Sequence, residues 1–314
     1  MNKTKPLKRA APPLGAVVSM VAILAVCLQF LPASLDYIIA KEAIPDTFVR
    51  RMYPDYLSVW AIIGIRFTFG LLCASVQLNM LLFGSSKLRT VYIRPDSKLV
   101  DTTIEMKGHL YLYPFTCWSW IVLGLHFLLS SYVTWVIHSH ARASPPTWLL
   151  ILTVCLWKIA APMTLLIGAV VKYALWPATR KKYGPDHNFK ARNPLLQHNA
   201  NILMALTELL FLGGMPLGSF QNITLAVIYG ICYVFFSWST MKHYNPETGP
   251  AAIYFFMDTT IGWKHTVSLL VLVCVLMLFY SVFYGVEQMA SNSGFETHVG
   301  IFISLMLLAC RFRD

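Results

Sequence analysis

Charge is scarce in this chain: only 12% of its 314 residues are Asp, Glu, Lys or Arg, about half the share of a soluble domain. That scarcity excludes an ordinary soluble globule. No polar linker of domain-boundary length interrupts the sequence, which excludes a string of domains and leaves one, residues 1–314. Its seven cysteines form no Cys-x-x-Cys pair and all lie in apolar segments. A disulfide framework and a thiolate metal site are therefore excluded, and the cysteines read as small buried residues. No internal repeat is visible, so a transporter built on inverted repeats has no support here. The net charge of +11 does not point to nucleic acid either. The basic residues sit in short loops between apolar runs, as loops on the cytoplasmic side of a membrane do.

What the chain does have is hydrocarbon: 57% hydrophobic residues and a mean hydropathy of +0.59. Its apolar runs approach the ~20 residues that span a bilayer. The expected fold class is all-α, a polytopic transmembrane helical bundle of seven or eight spans. Lys3, Lys5, Lys8 and Arg9 precede an apolar stretch from Leu14 to Ala40, too long for the ~7–15-residue core of a signal peptide. It predicts an uncleaved first helix with its N-terminus inside. Further helices are expected over about 57–84, 111–137, 147–176, 198–213, 223–241 and 265–287, and a short or interfacial one over 298–310. A basic loop, 85–110, carries Lys87, Arg89, Arg94, Lys98 and Lys107; a second carries Arg180, Lys181, Lys182, Lys190 and Arg192. Both are expected on the side of the N-terminus. Pro162 predicts a kink. Arg66 and Lys158 fall deep in helices, each in need of a partner that the sequence does not identify.

The stretch from Gln197 to Leu209 carries His198, Asn201 and Glu208 on an apolar helix. At 100° per residue these lie within about 80° of one another, a polar stripe that must face other helices or a wet cavity. Two helices of the same direction, 111–137 and that from 198, match this stripe in depth. Thr116 pairs with His198. Ten residues further along each, about 15 Å at 1.5 Å per residue, His126 pairs with Glu208. Asp258 can reach the outer layer of the set. A hydroxyl beside an imidazole is the minimal activated nucleophile. Each residue also has a structural reading: Thr and His bonding neighbouring helices, His126 with Glu208 as a latch, Asp258 as a helix cap, and Lys172 reaching the interface. His138 and His140 alone do not make a metal site. No metal or cofactor is expected.

The segment Tyr113-Pro-Phe-Thr116-Cys-Trp118-Ser-Trp120 resembles the Phe-Thr-x-Trp-Thr-x-x-Leu helix of the rolling stone family. His198-Asn-Ala-Asn201 resembles its His-x-x-Asn, and Tyr254-Phe-Phe-Met-Asp258 its Tyr-x-Phe-Leu-Asp element. The ordered set covers about residues 108–290. The same layout is similar to the androgen-induced membrane proteins, threonine hydrolases that cleave fatty acid esters of hydroxy fatty acids. The resemblance implies a core over 108–290, an N-terminal two-helix extension over 1–107, and a short C-terminal helix or tail over 291–314. It implies Thr116 as nucleophile. The family's catalytic histidine falls on Asn201, which cannot act as a base near neutral pH, so the base becomes His198, with Asn201 orienting or donating to an oxyanion.

The expected function is that of an integral membrane protein with a polar intramembrane site, a candidate lipid-ester hydrolase with Thr116 and His198 as its reacting pair. The remaining site residues are Asn201, His126, Glu208, Tyr254 and Asp258. The alternative is a non-enzymatic, rolling-stone-like membrane protein acting in adhesion or fusion, or as a subunit of a larger assembly. Expected partners are membrane lipid, a lipid ester and other membrane proteins, with no nucleic acid. The expected location is the endoplasmic reticulum or plasma membrane, N-terminus cytoplasmic.

Overall fold

A computed structural model describes residues 11–92, 94–139, 144–184, 188–241 and 250–311. The basic N-terminal residues 3–9, His140 and the start of the turn expected from Pro246 lie outside the described residues.

The Pro12-Pro13 pair opens α1 (Leu14–Lys41), and Pro45 sits at the first turn of the short α2 (Pro45–Val49). Proline is tolerated there because the first-turn amides have no partner within the helix. Ser58 caps α3 (Val59–Phe83), its hydroxyl accepting from the Ala61 amide at 3.1 Å. The expected loop 85–110 contains an antiparallel hairpin, β1 (Ser85–Arg89) with β2 (Thr103–Lys107), Lys87 opposite Glu105. In β2, Ile104 and Met106 are buried against Tyr111 while their neighbours face out, the period of a half-buried strand.

After a 3-10 turn (Gly108–Leu112) comes α4 (Phe115–Ser139). Next is α5 (Thr147–Val170), which contains Pro162 and runs through a π-turn (Val171–Leu175) into α6 (Trp176–Tyr183). The helix expected from 198 to 213 is a composite. It consists of α7 (Arg192–Leu195), a second π-turn (Leu196–Ala200) and α8 (Asn201–Leu210). Beyond it, Gly214 and Gly218 turn the chain with φ of +62° and +68°, values that favour glycine. Three α-helices follow among the described residues: α9 (Ile223–Thr240), α10 (Trp263–Ser291) and α11 (Phe295–Ala309).

Six of the described helices are long and apolar enough to cross a membrane; α11 is a shorter apolar one. The architecture is an all-α bundle compatible with a multi-pass integral membrane protein. At its centre stands α5, with 72% of its most apolar stretch buried, against 17% for α1 and 22% for α3 and α10. The outer helices leave apolar faces compatible with contact to hydrocarbon. α3 lies close along α4: a Cβ on Gly124 would come within 2.6 Å of the Cys73 side chain, and one on Gly70 within 2.6 Å of Leu128. Trp120 Nε1–H donates to the Cys73 carbonyl at 2.9 Å across the same seam.

Two buried ion pairs tie distant helices. Arg66 of α3 grips Glu208 of α8, and Lys158 of α5 meets Glu42 just past α1 at 2.6 Å. The pairing of Glu208 with His126 is thereby corrected. A guanidinium presents a flat fork of donors that fits both carboxylate oxygens, and His126 instead sets Nδ1 3.0 Å from the Thr153 carbonyl.

Candidate functional site

Thr116 is the second residue of α4, held where Pro114 ends the preceding turn. Its Oγ1 lies 3.3 Å from Nε2 of His198, and both side chains are buried. His198 sits in the π-turn 196–200, whose extra residue per turn re-aims the side chains on either side of it. Behind the imidazole lies the tilted ring of Phe189, 5.6 Å away between centroids, and the buried Trp176 stacks on Phe189 at 6.3 Å. Tyr254 reaches the same place from the segment before α10. Its Oη accepts from the Phe115 amide at 3.1 Å, with Thr116 also in hydrogen-bonding reach. Burial pushes the Tyr254 hydroxyl up to about 12, so it stays protonated. With one oxygen lone pair taken by an amide, its own proton remains available to an acceptor.

The first two amides of α4, those of Phe115 and Thr116, therefore point toward this cluster, and the positive end of the helix dipole favours negative charge beside Thr116. Cys117 and Gln197 meet next to the pair, with Gln197 Nε2 3.7 Å from Cys117 Sγ. This contact escaped the sequence reading. Gln197 directly precedes His198, but only the π-turn brings both onto α4.

Two cavities meet at Thr116 and Tyr254. One, about 520 Å³, is bordered by Lys87, Arg89 and Arg192 and reaches Gln197 and His198. It has no carboxylate in its lining. The other, about 60 Å³, is an apolar slot between α5, α9 and α10, walled by Leu166, Val227, Ile231 and Leu269.

The other expected site residues stand apart from this pair. Asn201, one turn beyond His198, has Oδ1 on the Ile202 amide at 2.7 Å. His126 is ten residues further along α4, its ring 4.9 Å from that of Trp157, and its Nε2 has no hydrogen-bond partner among the described residues. Asp258 accepts from Ser97 Oγ at 2.5 Å, the Thr260 amide at 2.8 Å and Thr260 Oγ1 at 2.6 Å. It caps the 3-10 turn before α10 and clamps the loop after β1. Glu208 belongs to the Arg66 pair. Among the described residues no group of His, Cys, Asp and Glu could hold a metal ion. No protein-family model matches the chain, and neither does any curated protein or solved structure.

Proposed function

We propose that this chain hydrolyses a lipid ester within the membrane, with Thr116 as nucleophile and His198 as general base. The carrying observation is the 3.3 Å approach of Thr116 Oγ1 to His198 Nε2, at the point where an apolar slot meets a basic vestibule. In this reading the substrate is an amphiphile, with the first carbons of an acyl chain entering the slot, an ester carbonyl at Thr116, and an anionic or polar end among Lys87, Arg89 and Arg192. The likeness of the Thr116, His198 and Tyr254 segments to the androgen-induced hydrolases and the rolling stone family supports the same reading.

In the first step Oγ1 bonds to the ester carbonyl carbon while its proton passes to Nε2. The carbonyl oxygen, now negative, takes the Tyr254 hydroxyl proton as a hydrogen bond at the positive end of α4. The leaving alcohol departs with the proton from His198. Water then attacks the acyl-threonine with His198 again as base, releasing the fatty acid. Tyr254, whose hydroxyl lies beside Thr116, fills the oxyanion role more directly than Asn201, which stands one turn beyond His198.

This reading carries the topology with it. The continuous helical stretch 192–210 would be the seventh crossing and Phe295–Ala309 the short eighth, with the N-terminus and both basic loops cytoplasmic, in the endoplasmic reticulum or plasma membrane. The second reading is a non-enzymatic protein of adhesion, fusion or a larger membrane assembly. It is favoured by one observation: Asn201 stands where the resembled hydrolases carry their catalytic histidine. Fluorophosphonate labelling of the purified protein separates the two. Labelling that disappears in Thr116→Ala supports hydrolysis; well-folded protein that never labels supports the second reading.

A further inference from the structure

At the end of the bundle away from Thr116, three elements, the end of α1, α5 and α10, converge on the backbone of residues 216–218. Lys158 Nζ of α5 lies 2.6 Å from Glu42 Oε2 and donates to the carbonyls of Leu217 at 2.6 Å and Pro216 at 3.2 Å. Glu287 of α10 accepts the Leu217 amide on Oε2 at 2.9 Å and the Gly218 amide on Oε1 at 3.4 Å. Neither Glu42 oxygen accepts a hydrogen bond among the described residues, although the residue is only 3% exposed: Oε2 meets Lys158 as an ion pair, and Oε1 sits against Gly218 with no donor. The Tyr280 hydroxyl, on the α10 face below Glu287, is buried and likewise unpartnered.

The charges in this pocket do not balance. Two carboxylates share one ammonium, and the remaining groups within electrostatic reach do not make up the difference. Those groups are Cys155 on α5, Tyr280 and Tyr284 on α10, Tyr37 on α1, and Arg50, which is solvent-exposed. Glu287 is half-buried, but an uncompensated charge on a carboxylate as buried as Glu42 is costly enough that the site takes up a neutralising ion. A metal cation needs several oxygens around it, whereas a proton needs only one. Glu287 has amide donors that favour its ionised form; Glu42 Oε1 has an open lone pair.

We propose that Glu42 is a proton-binding site, carrying one proton on Oε1 at neutral pH and so balancing the Glu42–Lys158–Glu287 cluster. The direction of its acidity agrees: burial pushes the Glu42 carboxyl up and Glu287 pushes it further, against the pull of Lys158. Loss of the proton leaves a bare carboxylate oxygen against Gly218. The segment 213–219 and the end of α1 then separate to admit water, so the proton governs how tightly they close. This site is independent of the Thr116 pair and of its chemistry.

Infrared difference spectroscopy of the purified full-length protein through a pH titration tests this directly. The expected result is one carboxylic-acid carbonyl band per chain at neutral pH that vanishes as the pH rises. The band should be missing in Glu42→Gln and equally in Glu287→Gln, since either change leaves one carboxylate opposite one ammonium. No such band in the wild type at neutral pH, or a band that survives in either variant, overturns the proposal. Should a variant fail to fold, the wild-type protein gives a second readout. A carboxyl held more basic in the folded state stabilises fully below the ordinary glutamate range, and that contribution is lost as pH rises. The wild-type melting temperature must therefore fall as pH rises above that range, and a melting temperature flat in pH there also overturns the proposal.

Discussion

Arg66 and Glu208 meet through two parallel contacts, Nε to Oε2 at 2.9 Å and Nη2 to Oε1 at 2.5 Å, with both side chains fully buried. The remaining guanidinium nitrogen donates to the Phe48 carbonyl at 3.0 Å and the Thr134 hydroxyl at 2.8 Å. Four elements, α2, α3, α4 and α8, are joined at this one cation. Removing either charge strands the other in a dry interior, which typically costs ~3–5 kcal/mol.

The first prediction is that Glu208→Ala and Arg66→Met each lower the melting temperature in detergent sharply, with Glu208→Gln milder. The double variant Arg66→Met with Glu208→Leu should recover much of the loss, because neither polar group is then left unpaired. Additive losses would show that the pair is not coupled. His126→Leu should not rescue Glu208→Ala.

A second prediction concerns the reacting pair. Thr116→Ser keeps a hydroxyl and should retain labelling by a fluorophosphonate and ester turnover, whereas Thr116→Ala abolishes both. His198→Gln keeps the volume but loses the base, and should slow turnover by about 10²–10⁴-fold. Unchanged turnover in His198→Gln would remove the imidazole from the chemistry.

Tyr254→Phe removes the hydroxyl beside Thr116 and leaves the ring in place. As an oxyanion donor its loss should lower kcat by about 10²–10³-fold with little change in KM. A rise in KM alone would make Tyr254 a binding residue instead.

The seam between α3 and α4 gives a fourth prediction. Gly124→Val places carbon where the Cys73 side chain already lies, and should destabilise by about 1–3 kcal/mol through overpacking. Pairing it with Cys73→Gly should restore part of the loss, read as melting temperature for the two single variants and the double.

Helix positions were legible because each is a long apolar run bounded by Pro, Gly or charge: α1, α9 and α10 fall within a few residues of their expected ends. The hairpin was hidden because β2 is only five residues long and its charged positions, Glu105 and Lys107, look like loop. The partners of Arg66 and Lys158 were hidden for another reason. Glu208 lies 142 residues from Arg66, and helical periodicity says which face a charge occupies, not which helix arrives opposite it. The stripe of His198, Asn201 and Glu208 rested on 100° per residue, a value that the π-turn at 196–200 does not keep. His198 consequently turns to Thr116 on α4 while Glu208 turns to Arg66 on α3.

That π-turn also makes the helix editable in two halves. Deleting one residue between Leu196 and Ala200 would let the chain relax to an ordinary α-helix. The part beyond it, α8, could keep its grip on Arg66, while everything before it would rotate by about 100°. His198 would swing off Thr116 with the bundle still closed around it. Gain or loss of a single residue at this spot would thus switch the Thr116 contact on or off without redesigning the scaffold.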